Sequence, residues 1–137
     1  MPFPGSVLDR SSKALLVESD PDWRKVLHPF LEKSGMAVAS CACAGEALMV
    51  LEEQPGWDFA FIELDLPDRP GWQLWNRLCT DPGQPKAVFW CQSPDRWERL
   101  SLQNHPSVCF LRKPFRREEL KQAIEELHNR GKAFWVT

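Results

Sequence analysis

From Lys13 onward, short apolar runs alternate with segments of helical period, and that alternation leaves few folds open. The runs are Ala14–Val17, Ala37–Cys41, Phe59–Leu64, Ala87–Cys91 and Val108–Leu111. Strands covered on both faces read as continuous apolar stretches, so the pattern predicts a parallel sheet between two layers of helices. Phe59–Leu64 is the most apolar run and is the expected central strand. Right-handed crossovers make a doubly wound open α/β sheet of five strands the simplest closure.

The helices follow from caps and spacing. Asp20 is expected to cap a helix with Pro21 at its first position, Trp23, Val26, Leu27, Phe30 and Leu31 on one face, and Gly35 as its stop. Further helices are predicted over Gly45–Glu53 (Ala47, Leu48 and Leu51 inward), Trp72–Cys79 (Leu74, Trp75 and Leu78 inward), Asp95–Gln103, and Glu118–Arg130 (Leu120, Ile124 and Leu127 inward, with Gly131 as the stop). Pro67 to Gly71 and Asp81 to Gly83 read as loops. Trp72 and Trp75 should divide between an exposed and a core position, and Trp57 should cover the end of the central strand. Residues 1–12 read as a flexible arm, 13–130 as the folded unit, and 131–137 as an apolar tail that folds back or docks elsewhere.

Composition removes several function classes. A length of 137 residues fits one compact unit. With 17 Lys+Arg against 19 Asp+Glu and a net charge of −2, there is no polybasic footprint for nucleic acid or an anionic membrane. No apolar run approaches the ~18 residues that mark a membrane span. The N-terminus lacks the basic and apolar regions of a signal peptide, so a cytoplasmic setting is expected. Five cysteines, an odd number with no Cys-x-x-Cys, argue against a disulfide framework or a structural zinc site.

In doubly wound sheets, ligands bind outside the carboxyl ends of the strands. The residues expected there are Glu18 to Asp20, Glu63 to Asp65, Cys91 to Ser93, and Arg112 to Pro114. Converging carboxylates beside a Lys could hold a hard cation such as Mg²⁺ with a phosphate next to it. The same residues could equally cap helices, with Lys113 neutralising them.

Three segments carry a resemblance: Leu15-Leu16-Val17-Glu18-Ser19-Asp20-Pro21-Asp22, Asp58 to Gly71, and Phe110-Leu111-Arg112-Lys113-Pro114-Phe115. Through them the chain resembles the receiver domain of two-component response regulators, from Lys13 to His128. The resemblance implies a flavodoxin-like (βα)5 sheet of strand order 2-1-3-4-5 and an aspartyl-phosphate switch assisted by Mg²⁺. Pro67 and Gly71 fall four and eight positions after Glu63, which puts Glu63 at the phosphoacceptor position. Of the implied metal-binding positions, Glu18 and Asp65 keep their charge, but Ser19 replaces an acid. Cys91 stands where a hydroxyl residue would bond the phosphoryl group, while Lys113 and the aromatic Phe110 are retained.

Each departure works against phosphotransfer. Glu63 reaches one methylene too far for in-line attack, and near-attack geometry fails with errors of about 1 Å. Ser19 weakens a hard-cation site, and Cys91 offers only a weak S–H donor. Glu63 is expected to pair with Lys113, either mimicking part of a phosphorylated state or simply tying two strands together. Cys91 reads as inert core or as a redox sensor beside Lys113. Cys41 and Cys43 would share one side of a strand, open to metal or oxidation.

The chain ends soon after Arg130, so any signal is expected to pass to a separate protein. In receiver domains the partner surface commonly involves the 95–103 helix, the 108–111 strand and the last helix, which here carry Arg96, Trp97, Arg99, Phe110, Arg112, Arg116 and Arg117. The expected function is a stand-alone atypical receiver: no enzyme and no cofactor, acting by phosphorylation-independent interaction with a histidine kinase, an output protein or another signalling protein, with homodimerisation left open. The competing reading takes phosphate onto Glu63 or Asp65 with Mg²⁺. An enzyme of another kind lacks support, since there is no Gly-rich phosphate loop, no Ser or Cys beside a His, and His28, His105 and His128 lie away from the strand ends.

Overall fold

Each predicted apolar run becomes a strand, in some cases one residue longer or shorter than expected. The computed structural model describes residues 12–80, 85–92, 106–130 and 135–136. In chain order the elements are β1 (Lys13–Val17), α1 (Pro21–Lys33), β2 (Ala37–Cys41), α2 (Ala44–Glu53), β3 (Phe59–Glu63), α3 (Gln73–Leu78), β4 (Lys86–Cys91), β5 (Val108–Arg112), α4 (Arg117–Arg130) and β6 (Trp135–Val136). The helix predicted over Asp95–Gln103, the loop at Asp81 to Gly83 and the stop at Gly131 lie outside the described residues.

All strand pairs are parallel, in the order β2-β1-β3-β4-β5-β6. The five-stranded sheet of order 2-1-3-4-5 is present, and β6 extends it by one short strand. The chain returns from α4 to the outer edge of β5, pairing Phe110 with Trp135 and Leu111 with Val136. The tail therefore folds back at these two residues. Ser12, expected in the flexible arm, is buried, and its carbonyl accepts from the Ala37 N–H at 2.8 Å.

Alternation along the strands builds two cores. Leu15, Val17, Ala60, Ile62, Phe89, Cys91 and Phe110 meet α2 and α3 through Ala47, Leu51, Leu74, Trp75 and Leu78. Leu16, Phe61, Val88, Trp90 and Leu111 meet α1 and α4 through Leu27, Leu31, Leu120, Ile124 and Leu127. β3 is buried along its whole length, as a central strand should be. Trp57 is buried below it with its indole N–H on the Gln54 carbonyl, and Trp72 is exposed where Trp75 is not.

The cap on α1 forms as predicted, with the Asp20 side chain accepting from the Asp22 N–H at 2.8 Å. Its inner stripe is narrower than expected, because Val26 is 56% exposed. Position 26 is turned about 100° from Leu27, outside the stripe that Trp23, Leu27, Phe30 and Leu31 fill. Gly35 follows the helix with φ of 102°, a backbone conformation that favours glycine.

Candidate functional site

The register sets the strand ends level with one another: Val17 pairs Ile62, Glu63 pairs Trp90, and Cys91 pairs Arg112. The ladder runs one residue further, with Glu18 N–H on the Cys41 carbonyl, Leu64 N–H on Trp90 and Lys113 N–H on Cys91, at 2.8 to 3.0 Å. Side chains alternate across a strand, so Glu18, Glu63, Trp90 and Lys113 share the parity of the face that packs on α1 and α4. Backbone pairing thus fixes three charged side chains and one indole at a single rim of the sheet.

Glu18 is the hub of that rim. It is fully buried, its Oε1 lies 2.8 Å from Lys113 Nζ, and the same oxygen accepts the Trp90 indole N–H at 2.8 Å. Its Oε2 accepts the Asp20 N–H at 2.9 Å. The expected Glu63–Lys113 ion pair does not form. A carboxylate with no exposure requires a cation far more than a partly solvated one does, so Lys113 goes to Glu18. Lys113 is itself 8% exposed, lies 4.6 Å from the centroid of the Trp23 ring, and precedes Pro114 through a cis peptide bond.

Glu63 is held by its other neighbour. Ser19 donates to its Oε1 twice, from the backbone N–H at 2.9 Å and from Oγ at 2.7 Å. Desolvation pushes the Glu63 carboxyl above the usual range and the nearby Glu18 carboxylate adds to this, against the opposing pull of the two Ser19 hydrogen bonds. Arg24 places its guanidinium on the carbonyls of Glu18 (2.6 Å) and Ser19 (3.1 Å). Among the described residues, no three His, Cys, Asp or Glu side chains converge as a metal-ligand set.

Gly71 brings the loop after β3 back onto this rim. A Cβ there would lie 1.9 Å from the Glu63 carbonyl oxygen, so no other residue fits. In the same loop Asp68 accepts the N–H groups of Ala44 and Gly45 at 3.0 and 2.8 Å, joining it to the start of α2. A little desolvation would raise the Asp68 carboxyl, but these N–H donors outweigh it and hold the group below its ordinary range.

Residues 14–125 match the family model of the response regulator receiver domain. The chain belongs to the response regulator receiver family. It is 30% identical over 140 residues to the two-component response regulator ARR11 of Arabidopsis thaliana, covering 91% of this chain and 27% of that protein. It is 29% identical over 118 residues to the probable C4-dicarboxylate response regulator DctR of Bacillus subtilis, covering 83% of this chain and 51% of that protein. The chain thus spans about half or less of the length of these curated relatives. A receiver structure from Sinorhizobium medicae superposes with a TM-score of 0.77 at 19% identity, covering 87% of this chain and 95% of that one. A sensor protein from Polaromonas superposes with a TM-score of 0.71 at 25% identity, covering 86% and 96%. The receiver domain belongs to two-component signalling. Among the described residues, no helix of this receiver is long and apolar enough to cross a membrane.

The remaining predicted positions divide sharply. Asp65 is exposed on the loop that follows β3. Cys91 is 1% exposed within the core under α2 and α3, and Lys113, its expected activator, is committed to Glu18. Phe110 is fully buried with its ring 5.8 Å from Phe89, which corrects its placement on a partner surface. Arg112, Arg116 and Arg117 are exposed, while Arg96, Trp97 and Arg99 lie outside the described residues. Cys41 and Cys43 do not share a strand face, because β2 ends at Cys41 and Cys43 is the N-cap residue before α2. Burial pushes the Cys41 thiol up to about 11, which makes it a poor nucleophile.

Sequence reasoning missed four participants and one contact. Trp90, Trp23, Phe115 and Arg24 all bear on the Glu18 and Lys113 pair, and the signal for Trp90 was its parity with Glu63 across β3 and β4. A Ser does stand beside a His: Ser40 Oγ meets His28 Nδ1 at 2.5 Å, and His28 Nε2 lies 3.3 Å from Glu32. This chain of contacts ties α1 to β2.

Proposed function

We propose that this receiver acts without phosphoryl transfer, as an atypical receiver that works through protein–protein interaction in one fixed conformation of its rim. The observation that carries the reading is the division of partners: Lys113 sits on Glu18 at 2.8 Å, and Ser19 donates twice to the Glu63 oxygen nearest it. Phosphoryl transfer needs a carboxylate free for in-line attack and a cation placed to offset charge on the transferred oxygens. Here the carboxylate is longer than aspartate and engaged, and the cation is neutralised.

The donor set is also a poor fit for Mg²⁺, which calls for several oxygen ligands in near-octahedral array. Both Glu18 oxygens accept hydrogen bonds, the Ser19 hydroxyl is turned to Glu63, and the Arg24 guanidinium occupies the Glu18 and Ser19 carbonyls. In this reading the domain binds no cofactor and catalyses no reaction. The charge of Glu63 is not presented to Lys113, so support falls to a structural role for Glu63 rather than to mimicry of a phosphoryl group. The exposed Arg112, Arg116 and Arg117 are the described part of the surface offered to a signalling protein.

Incubation with acetyl phosphate and Mg²⁺ followed by intact mass measurement tests the reading. The expected result is an unchanged mass. An alkali-labile adduct of about 80 Da, the mass of one phosphoryl group, would overturn it.

A further inference from the structure

Three aromatic side chains are linked to the pair that Lys113 makes with Glu18. Trp23, in the first turn of α1, holds its ring centroid 4.6 Å from Nζ. Trp90, near the end of β4, gives its indole N–H to the same Glu18 oxygen that pairs with Lys113, both at 2.8 Å. Phe115, two residues beyond Lys113, sits between them, with its ring centroid 4.9 Å from Trp23 and 5.1 Å from Trp90. Glu18 is fully buried and Lys113 nearly so.

We infer that Trp23, Trp90 and Phe115 form a cage that positions Lys113 on Glu18 and withholds its ammonium from any group presented at residue 63. The inference rests on the proposed phosphorylation-independent reading and adds a second lock, separate from the identity of residue 63. Each wall has a distinct action. The Trp23 ring attracts the cation through its π face, strongly so in a desolvated site. The Trp90 N–H anchors the Glu18 oxygen that in turn holds the ammonium. Phe115 fixes the two indoles against each other as tilted rings. To reach an oxygen at residue 63, Lys113 would have to leave an ion pair and an aromatic face together, with little water to replace either. The three are positioning residues: they act on Lys113 and Glu18 and would not touch a phosphoryl group.

The cage separates two consequences that residue 63 alone would merge. In a Ser19→Asp/Glu63→Asp variant, both altered acidic positions carry aspartate and the cage is intact. A carboxylate oxygen can then attack phosphorus of acetyl phosphate, with acetate leaving and the phosphoryl group retained as an acyl phosphate. Mass spectrometry in the presence of Mg²⁺ should show this adduct forming slowly. Adding Trp23→Leu and Trp90→Phe should raise its initial rate by about tenfold or more, in line with the sensitivity of such steps to the placement of charged groups. Trp23→Phe in place of Trp23→Leu keeps an aromatic face and should hold the rate near the slow value. Equal rates in the caged and opened variants overturn the inference, and so does the absence of adduct from both. An adduct on the unaltered chain would instead overturn the proposed function. The unaltered chain gives an independent reading by nuclear magnetic resonance. Ring current from Trp23 should place the Lys113 ε-methylene protons upfield of the other lysines, a displacement lost in Trp23→Leu but kept in Trp23→Phe. Lys113 protons at ordinary positions in the unaltered chain overturn the inference.

Discussion

Glu18 and Glu63 leave adjacent parallel strands at the same level, yet their surroundings treat them oppositely. Glu18 follows β1 and receives a lysine, an indole N–H and a backbone N–H. Glu63 ends β3, is 9% exposed, and receives one serine, which donates from its backbone and its hydroxyl. The first carboxylate is supplied with charge to match its own, while burial of the second works against its ionisation. Burial alone therefore does not decide the state of an acid at this rim. The partners delivered by neighbouring strands do.

Removing charge from the better supplied side should cost most. Glu18→Gln leaves the Lys113 ammonium buried beside a neutral amide, and the loss in unfolding free energy should be about 3–5 kcal/mol, read from urea denaturation. A loss below about 1 kcal/mol would mean that Lys113 transfers to Glu63 at little cost, and the two acids would then be interchangeable.

The next largest effect acts on the backbone that carries Glu63. Gly71→Ala puts a Cβ within 1.9 Å of the Glu63 carbonyl oxygen, so the loop must move. The expected destabilisation is about 1–3 kcal/mol by thermal or urea unfolding. Crystallography of the variant should show Glu63 displaced from Ser19 while the Glu18 and Lys113 pair stays in place.

The smallest effect has the most informative sign. Because the Glu63 carboxyl is raised, the folded state holds its proton to higher pH than the unfolded chain does. Its contribution is fully present below the ordinary Glu value of about 4.3 and is lost as pH rises through the folded value. Glu63→Gln should remove that loss, so that variant and parent diverge in the variant's favour as pH rises above the ordinary Glu value, by less than either effect above because the solvent screens this rim. Parallel pH profiles would mean that the two Ser19 hydrogen bonds fully offset the burial of Glu63.

Much of this architecture was legible in the residues themselves. Doubly covered strands show as continuous apolar runs, and Phe59 to Ile62 announces the central strand that the register confirms. The family motifs located Glu18, Ser19, Glu63 and Lys113 at one rim. The pairing within that rim was not legible, because it depends on which carboxylate is more deeply enclosed, and nothing local to Glu18 or Glu63 encodes that difference. Trp90 was passed over as a strand residue beside Cys91, although its parity points it at the acids and turns Cys91 into the opposite core. Val26 failed for a simpler reason: an apolar type at the margin of a helical stripe need not be buried. A two-residue strand such as β6 has no periodicity to read.

That short strand has a geometric consequence. β6 runs parallel to β5, with Val136 opposite Leu111, two residues before Lys113. The carboxyl end of β6 therefore points to the end of the sheet where Glu18, Glu63 and Lys113 are gathered. A peptide or reporter joined beyond Val136 is tethered beside that rim, and a short tether of this kind confers an effective local concentration in the millimolar range. Weak ligands of the rim can in this way be presented from within the same chain.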